Sequence, residues 1–302
     1  MFDEPIRIFV GADRSQALAV KVLAYSIHRH TDARVDVISM EDVVLPEPED
    51  PRHGSRTLFS FTRFAIPRLA GYRGKAVYMD ADMQVFTDIR GLVSIPFDNA
   101  KVVIQEELPE EHQPKQGVLG APKRRIKQCS VMLLDCDRLE WVPEDIIASL
   151  GRDYTYEDLL YHLCILEEHE IREGVPFEWN SLETHIPGRT CLTHYTDMLI
   201  QPWVSPENPI GWVWLEEVKR MLAEGALTWA ALEEEVALGY FRPSLLQELR
   251  LNEDLSQPDP ERIKRYLASD ADAGFVKHRE VYERKRLRNR LIKDFEARLA
   301  AA

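Results

Sequence analysis

The stretch Val77-Tyr78-Met79-Asp80-Ala81-Asp82-Met83-Gln84-Val85 joins an apolar run to two carboxylates that stand one residue apart. An unpaired carboxylate in a dry interior is costly, so acids at the end of a β-run must face solvent, pair with bases or hold a cation. Residues i and i+2 of an extended chain point to the same side, which lets Asp80 and Asp82 bind one divalent ion. An isolated Asp-x-Asp is more often a strand followed by an acidic turn. The neighbouring segments therefore decide between the two interpretations.

The N-terminal segment has the pattern of a strand, a helix and a second strand. An apolar run from Ile6 to Val10 stops at Gly11, apolar residues at helical spacing follow, and Val35–Ser39 is a second apolar run. This order predicts the beginning of an α/β sheet, in which ligands bind beyond the carboxyl ends of the strands. Gly11, Ala12 and Asp13 occupy such an end. The chain carries no G-x-G-x-x-G and no Walker A sequence, which weakens the dinucleotide and P-loop interpretations.

Later segments add strands and an arginine that stands among aromatic residues. Val102–Gln105 and Val131–Asp135 are predicted strands, and the polar loop between them, rich in Pro and Gly, carries the basic run Lys123-Arg124-Arg125. Loops at strand ends are where substrates bind. Arg63 stands among aromatic residues in a predicted helix from Thr57 to Leu69. An arginine there either extends to the surface or lies beside an anionic ligand.

Two acids and a histidine complete the set of candidates. The segment Tyr156–Glu168 has helical periodicity, with Glu157 and Asp158 in its first turn, where acidic residues already favour the helix dipole. His194 ends a β-like run, and a lone histidine in such a place is more often a core residue with satisfied hydrogen bonds.

The pattern changes to long helices near residue 211, which predicts a catalytic domain of residues 1–210 and a helical extension of residues 211–302. The last predicted helix, about Lys277 to Leu299, holds eight Lys or Arg against two Glu between Lys277 and Lys293. An apolar stripe with a basic flank suits a partner helix or an anionic membrane surface. A helix packed on its own domain with a solvated basic face is the alternative.

Composition limits the function classes. The 302 residues are 45% hydrophobic and 29% charged, which is typical of a globular protein, and the net charge of −13 argues against general nucleic-acid binding. The four cysteines show no C-x-x-C spacing, and the opening Met-Phe-Asp-Glu is not a signal sequence. We therefore expect a cytoplasmic protein with reduced thiols and without a membrane span, since a span needs about 20 apolar residues.

Five of these segments, in this order, resemble family 8 of the retaining glycosyltransferases, which have the glycosyltransferase A fold. The resemblance covers roughly the first two thirds of the chain. It implies an α/β fold with a mixed, mostly parallel sheet and helices on both faces, followed here by a C-terminal helical extension. The segments are Phe9-Val10-Gly11-Ala12-Asp13, Phe61-Thr62-Arg63-Phe64, Tyr78-Met79-Asp80-Ala81-Asp82, Ser130-Val131-Met132-Leu133-Leu134, and His194-Tyr195 through Gln201-Pro202-Trp203.

The resemblance also implies roles for individual residues. Asp80, Asp82 and His194 would ligate a manganese or magnesium ion bound to the diphosphate of the donor, a UDP-sugar. The remaining donor-binding positions would be Gly11, Ala12, Asp13, Arg63, Ala81 and Gln201, where Gln201 replaces the lysine of the family's Lys-Pro-Trp segment.

The expected reaction is transfer of a hexose, galactose or glucose, to a hydroxyl acceptor on a glycan, lipid or protein, with retention at the anomeric carbon. Glu157, with Asp158 as its neighbour, would stand near that carbon. Two alternatives remain: a sugar-nucleotide pyrophosphorylase, whose glycine-rich basic loop the segment after Gly11 does not match, and an inactive relative that binds nucleotide sugar. The C-terminal helix would add a peripheral contact to the inner face of the membrane or an oligomer contact.

Overall fold

The computed structural model describes residues 4–108, 110 and 127–301. The predicted basic run Lys123-Arg124-Arg125 and the stretch from Pro109 to Pro122, Glu110 excepted, lie outside this range. Up to residue 135 the elements are β1 (Ile6–Gly11), α1 (Ala17–His30), β2 (Val35–Ser39), α2 (Ile66–Leu69), β3 (Lys75–Asp80), β4 (Met83–Val85), α3 (Arg90–Val93), β5 (Val102–Gln105) and β6 (Gln128–Asp135). From there to residue 194 they are α4 (Pro143–Ala148), α5 (Tyr156–His162), β7 (Ile171–Val175), β8 (Ser181–Leu182) and β9 (Leu192–His194). The C-terminal helices are α6 (Gly211–Glu224), α7 (Trp229–Ala237), α8 (Ser244–Leu249), α9 (Pro260–Asp272) and α10 (Arg279–Ala301).

Six strands form one mixed sheet in the order β2-β1-β3-β6-β5-β7. Only β6 runs antiparallel to its neighbours, β3 and β5, so the carboxyl ends of the other five strands and the beginning of β6 meet at one edge. A second, small sheet has the order β4-β9-β8. Ligands of open α/β sheets bind at such an edge.

Side chains of the main sheet alternate between two hydrophobic cores. Ile8 and Val10 pack on the side of α1, whereas Phe9 and Tyr78 pack on the side of α4 and α5. This is the period of two expected for a strand that is buried on both faces. The predicted α/β class, with a mostly parallel sheet and helices on both faces, is confirmed.

The helical extension shares a third core with the N-terminal helix. Leu18 and Val22 of α1 pack with Trp203, Trp214 and Phe241. The predicted boundary at residue 210 falls immediately before α6, but this common core joins the two parts, and their division into separate domains stays a prediction. None of the described helices combines the length and apolar character needed to cross a membrane.

Two predicted helices differ from the structure. The helix that begins at Tyr156 ends at His162, because Leu163 adopts a left-handed conformation with φ of 51°. The segment from Thr57 to Leu69 holds a 3-10 turn, Thr62–Ala65, followed by the single turn of α2. Periodicity predicted each helix too long because apolar residues continue beyond the point where the backbone turns.

Candidate active site

The small sheet brings His194 to the acidic end of β3. Asp80 is the last residue of β3, Asp82 follows it, and β4 pairs with β9 so that Met83 stands opposite His194. The backbone N–H of Tyr195 donates to the Asp82 carbonyl over 2.9 Å. Two segments that are more than 100 residues apart in sequence are thereby fixed side by side.

The three side chains converge with a spacing that suits a divalent ion. His194 Nε2 lies 3.0 Å from Asp82 Oδ1 and 4.0 Å from Asp80 Oδ2, and one ligand atom from each residue lies within 4.8 Å of the others. An octahedral ion with bonds of about 2.1 Å sets its ligands roughly 3 Å apart in cis and 4.2 Å apart in trans. Two carboxylates and an imidazole are a donor set that Mn²⁺ or Mg²⁺ accepts. The residues present therefore fit the metal that the resemblance implies.

A buried tyrosine and arginine orient Asp80. The hydroxyl of Tyr78 donates to Asp80 Oδ1 over 2.6 Å, and Arg63 Nη2 donates to the same hydroxyl over 3.0 Å while lying 3.7 Å from Asp80 Oδ1. Arg63 also donates to the Cys129 carbonyl over 2.6 Å and stacks on the Tyr78 ring. Gly11 is required beneath this group, because a Cβ there would overlap the Tyr78 hydroxyl. Three predicted positions, Gly11, Arg63 and Asp80, thus form one contact group.

Asp82 and His194 each have a polar partner that fixes their direction. Gln201 Nε2 donates to Asp82 Oδ2 and to the Tyr195 carbonyl, both over 2.8 Å. His194 Nδ1 lies 2.9 Å from Asn180 Oδ1, and the amide nitrogen of Asn180 donates to Gln105 and Ser130. The Asn180 oxygen therefore faces the ring, which places a proton on Nδ1 and leaves the Nε2 lone pair for a cation. Such partners of a metal-bound histidine set its tautomer and orientation.

Burial changes the protonation chemistry of this cluster. It raises the pKa of Asp80 above the ordinary value, Asp82 acts in the same direction, and Arg63 and His194 oppose it. Burial also raises the pKa of Tyr78 well above the ordinary value, so the hydroxyl keeps its proton and donates to Asp80. A divalent cation would favour the charged form of Asp80 that burial disfavours.

The cluster opens into a cavity of about 630 Å³. Six of the predicted residues line it, namely Asp13, Arg63, Asp80, Asp82, His194 and Gln201. The described carboxylates in its lining are Asp13, Asp80 and Asp82. Its volume lies in the range of pockets that hold small-molecule substrates.

Three predicted donor positions lie behind the cavity wall. Gly11 is behind the Tyr78 hydroxyl, and Ala12 and Ala81 are buried, each 2% exposed or less. The side chains of Ala12 and Ala81 lie in the hydrophobic core on the side of α1. Contact of these three residues with a donor stays a prediction.

The two predicted catalytic acids do not line the cavity. Asp158 forms a capping box with Thr155, whose N–H and hydroxyl both donate to the Asp158 carboxylate. Glu157 is exposed and pairs with Arg56, which does line the cavity. The geometry agrees with the helix-capping interpretation for Asp158, and the catalytic role of Glu157 stays a prediction.

Several residues of the site were not predicted from the sequence. Tyr78 could have been found, because it points to the same face of β3 as Asp80 two residues later. Asn180 gave no signal, since it lies in a loop and its distance from His194 is set by the pairing of β8 with β9. His278, Lys285 and other residues around α10 also line the cavity. The basic pattern of α10 indicated only an exposed surface.

Known proteins are similar to this chain in sequence or in structure. No protein-family model matches the chain. Protein CDI of Arabidopsis thaliana is 28% identical over 191 residues, which cover 60% of this chain and 71% of that protein. Among solved structures, the galactosyltransferase LgtC, in complex with donor and acceptor sugar analogues, aligns with 15% identity and a TM-score of 0.47 over 74% of this chain and 96% of its own.

Two further solved structures align over larger proteins. The glycosyltransferase GlyE of Streptococcus pneumoniae TIGR4 has 14% identity and a TM-score of 0.48, over 80% of this chain and 66% of its own. The bifunctional glycosyltransferase WbbM has 14% identity and a TM-score of 0.46, and the match spans half of its length and 72% of this chain. The mixed sheet with one antiparallel strand, the helices on both faces and the acidic strand end opposite a histidine agree with the glycosyltransferase A fold that the resemblance implies.

Proposed function

We propose that the protein is a metal-dependent retaining glycosyltransferase that moves a hexose from a UDP-sugar to a hydroxyl acceptor. One observation carries the proposal: Asp80, Asp82 and His194 converge in a substrate-sized cavity at the carboxyl end of a mixed α/β sheet. The galactosyltransferase and glycosyltransferases among the structural matches supply the reaction class, and the resemblance to family 8 supplies the donor and the stereochemistry.

Asp80, Asp82 and His194 would hold the metal ion, with Mn²⁺ or Mg²⁺ as the expected ions. When bound, the ion neutralises charge that develops on the departing diphosphate. The protein prepares this place by orientation: Tyr78 and Gln201 each occupy one carboxylate oxygen, so the other oxygen of each acid is directed toward His194.

Asp13 is suited to the nucleoside part of the donor. One oxygen, Oδ1, accepts hydrogen bonds from the Ser15 N–H and hydroxyl. Oδ2 accepts no hydrogen bond from the described residues, and Asp13 is 8% exposed at the cavity wall. A partly buried carboxylate oxygen in this position can accept a hydrogen bond from a ribose hydroxyl or a base N–H.

Retention requires either a carboxylate on the face opposite the leaving group or attack on the same face within a shielded ion pair. Of the three described carboxylates in the lining, Asp80 and Asp82 would be occupied by the metal and Asp13 stands at the end of β1. This arrangement favours attack on the same face, with Glu157 as the remaining candidate for a carboxylate.

The alternative of an inactive nucleotide-sugar-binding relative rested on the replacement of lysine by Gln201. In the structure the side chain of Gln201 donates a hydrogen bond to Asp82 and thereby orients it, so the glutamine has a structural role in the site. The three metal-binding residues are also intact. Both observations support an active enzyme.

We further propose a cytoplasmic location and a surface contact made by the outer face of α10. The four cysteines are free thiols. Leu287, Leu291 and Leu299 of α10 are each about half exposed. An exposed apolar stripe beside cations supports contact with an anionic membrane or a partner.

Thermal unfolding with a set of nucleotide sugars tests the enzymatic proposal. UDP-glucose, UDP-galactose and GDP-mannose are compared with and without Mn²⁺, because a ligand at 100 times its dissociation constant stabilises a protein by ~2.7 kcal/mol. We expect stabilisation by a UDP-sugar only when Mn²⁺ is present. Equal stabilisation in the presence of a chelator would contradict the metal-dependent assignment.

A further inference from the structure

The helix α10 closes one side of the cavity. His278, Val281, Tyr282, Arg284, Lys285 and Arg288 contribute to the lining. Two contacts with the loop that follows β2 hold the helix in place: Arg284 pairs with Glu47 over 2.6 Å, and Arg288 donates to the Arg52 carbonyl. A helix assigned by its sequence to the outer surface is therefore also a wall of the site.

The residues of α10 and its preceding turn reach two different ends of the cavity. Lys277, the residue before His278, donates to the Leu199 carbonyl over 2.6 Å, two residues before Gln201, so this end of the helix lies on the side of Gln201 and marks the metal end. Arg288 follows ten residues after His278, which is about 15 Å along a helix, and it contacts the loop at Arg52. A phosphate oxygen bound to the metal lies about 2 Å from the ion. We therefore assign Arg288 to the opposite end of the cavity from the metal end, and we name its surroundings the far end.

The far end has positive charge without enough carboxylates to balance it. Lys285 and Arg288 line it, and Arg56 is a further cation of the cavity lining. Arg56 pairs with Glu157, but no described carboxylate lies within ion-pair distance of Lys285 or Arg288. The Nε atoms of Arg284 and Arg288 are buried without an acceptor. The described acids of the lining all belong to the metal end.

Aromatic side chains stand beside these cations. Arg56 stacks on the Tyr156 ring at 4.3 Å from its centroid, and Tyr156 and Tyr161 both line the cavity. Flat aromatic faces next to charged donors suit a ligand that has both a ring and an anionic group.

We infer that the far end binds an anionic group of the acceptor, a phosphate monoester or a carboxylate, through Lys285 and Arg288. The inference rests on the proposed function, because it requires the donor to occupy the metal end. The acceptor hydroxyl then reaches the anomeric carbon from the direction of α10, with its anionic group anchored away from the metal.

Methyl phosphate is the probe, and the full chain saturated with UDP and Mn²⁺ is the receptor, so that the metal end is already filled. Calorimetric titration measures its affinity at constant ionic strength. The test variants are Lys285→Ala and Arg288→Gln, alone and combined. Arg286→Ala is the matched control, because it removes one charge from the same turn of α10 at a position that does not line the cavity. Melting temperatures of all variants are recorded.

We expect methyl phosphate to bind the loaded protein and Lys285→Ala to weaken it about tenfold, as the loss of a hydrogen bond to a charged group implies. Arg286→Ala should leave the affinity unchanged, and UDP should bind all variants equally. If Arg288→Gln lowers the melting temperature, Lys285→Ala alone decides the test, since Lys285 is exposed and makes no hydrogen bond to the described residues.

Three outcomes would overturn the inference. The first is that methyl phosphate does not bind the loaded protein. The second is that it binds the variants as tightly as the original chain. The third is that the variants lose UDP affinity, which would assign the far end to the donor. Absence of manganese-dependent UDP binding in the original chain would overturn the proposed function as well. Retained UDP binding without methyl phosphate binding would overturn this inference alone.

Discussion

The side-chain nitrogen of Gln201 donates a hydrogen bond to Oδ2 of Asp82 over 2.8 Å, from a residue that is 1% exposed. Its side-chain oxygen has no partner among the described residues and lies at the cavity wall. The position at which the resembling family carries a lysine therefore belongs to the proposed metal site in this chain. The free oxygen can accept a hydrogen bond but cannot neutralise a phosphate, so neutralisation of a bound diphosphate would fall to the metal and to other cations.

Substitution of Asp82 by Asn should abolish metal-dependent donor binding without unfolding the protein. The change removes one anionic ligand, while the amide can keep the contact with Gln201 in one orientation. Calorimetric titration with UDP and Mn²⁺ measures the effect, and a melting curve confirms the fold. Unchanged manganese dependence in the variant would show that the Asp-x-Asp assignment is wrong.

The variant Gln201→Ala should weaken Mn²⁺ affinity by roughly 10 to 100 times, the usual cost of losing a group that orients a metal ligand. Gln201→Lys is the informative comparison. An ammonium beside Asp82 would compete with the metal for the carboxylate, so this variant should also bind Mn²⁺ weakly, although it restores the family's residue. Stronger Mn²⁺ binding by Gln201→Lys would contradict the orienting role.

The Mn²⁺ affinity should rise with pH through the raised pKa of Asp80, because the metal binds the carboxylate form and burial favours the protonated form. The hydrogen bond from Tyr78 lowers that pKa. Tyr78→Phe should therefore move the rise in affinity to higher pH. Titrations of Mn²⁺ at several pH values check both statements, and coincident profiles for the two proteins would refute the contribution of Tyr78.

Asp158→Ala should lower stability by about 1 kcal/mol, the usual cost of a lost helix cap, and should leave donor hydrolysis near normal. Glu157→Ala is the contrasting variant. If Glu157 is catalytic, its removal should lower turnover by orders of magnitude. If Glu157 only pairs with Arg56 at the surface, its removal should change turnover little. Rates measured beside melting temperatures separate the two roles, and near-normal rates in both variants would leave only structural functions for this pair.

Charge reversal on the outer face of α10 should reduce binding to anionic vesicles. Arg286, Arg290 and Lys293 surround a shallow groove on the surface of this helix, apart from the cavity. Basic residues near an anionic bilayer contribute ~1 kcal/mol each, so the triple change to Glu should abolish co-sedimentation at low salt. Equal sedimentation of the variant would remove the membrane proposal. The substitution is preferable to truncation, because α10 is also a wall of the active site.

Much of the sheet was predictable because its signals are local. Val35–Ser39 and Val102–Gln105 form strands with the predicted bounds, since both segments are rich in the β-branched residues Val and Ile, which favour extended backbone. The pair Asp80 and Asp82 was predicted from its spacing, but His194 joined this candidate metal site only through the resemblance, since the pairing of β4 with β9 that brings Asp82 and His194 together spans more than 100 residues. Asn180 and the inner face of α10 were not predictable, because their positions depend on tertiary packing that no local pattern encodes.

The buried Arg242 ties the helical extension to the metal site. Its backbone N–H donates to the Trp203 carbonyl and its Nε to the Pro202 carbonyl, immediately after Gln201. A ligand that holds Asp82 in place also holds Gln201. Because Pro202 and Trp203 follow Gln201 directly and accept hydrogen bonds from Arg242, the ligand should also restrain the helices that pack around Arg242. If the proposed site binds a metal ion, we therefore expect the ion to oppose local opening of α6 to α8 and to slow hydrogen exchange in helices that do not contact it.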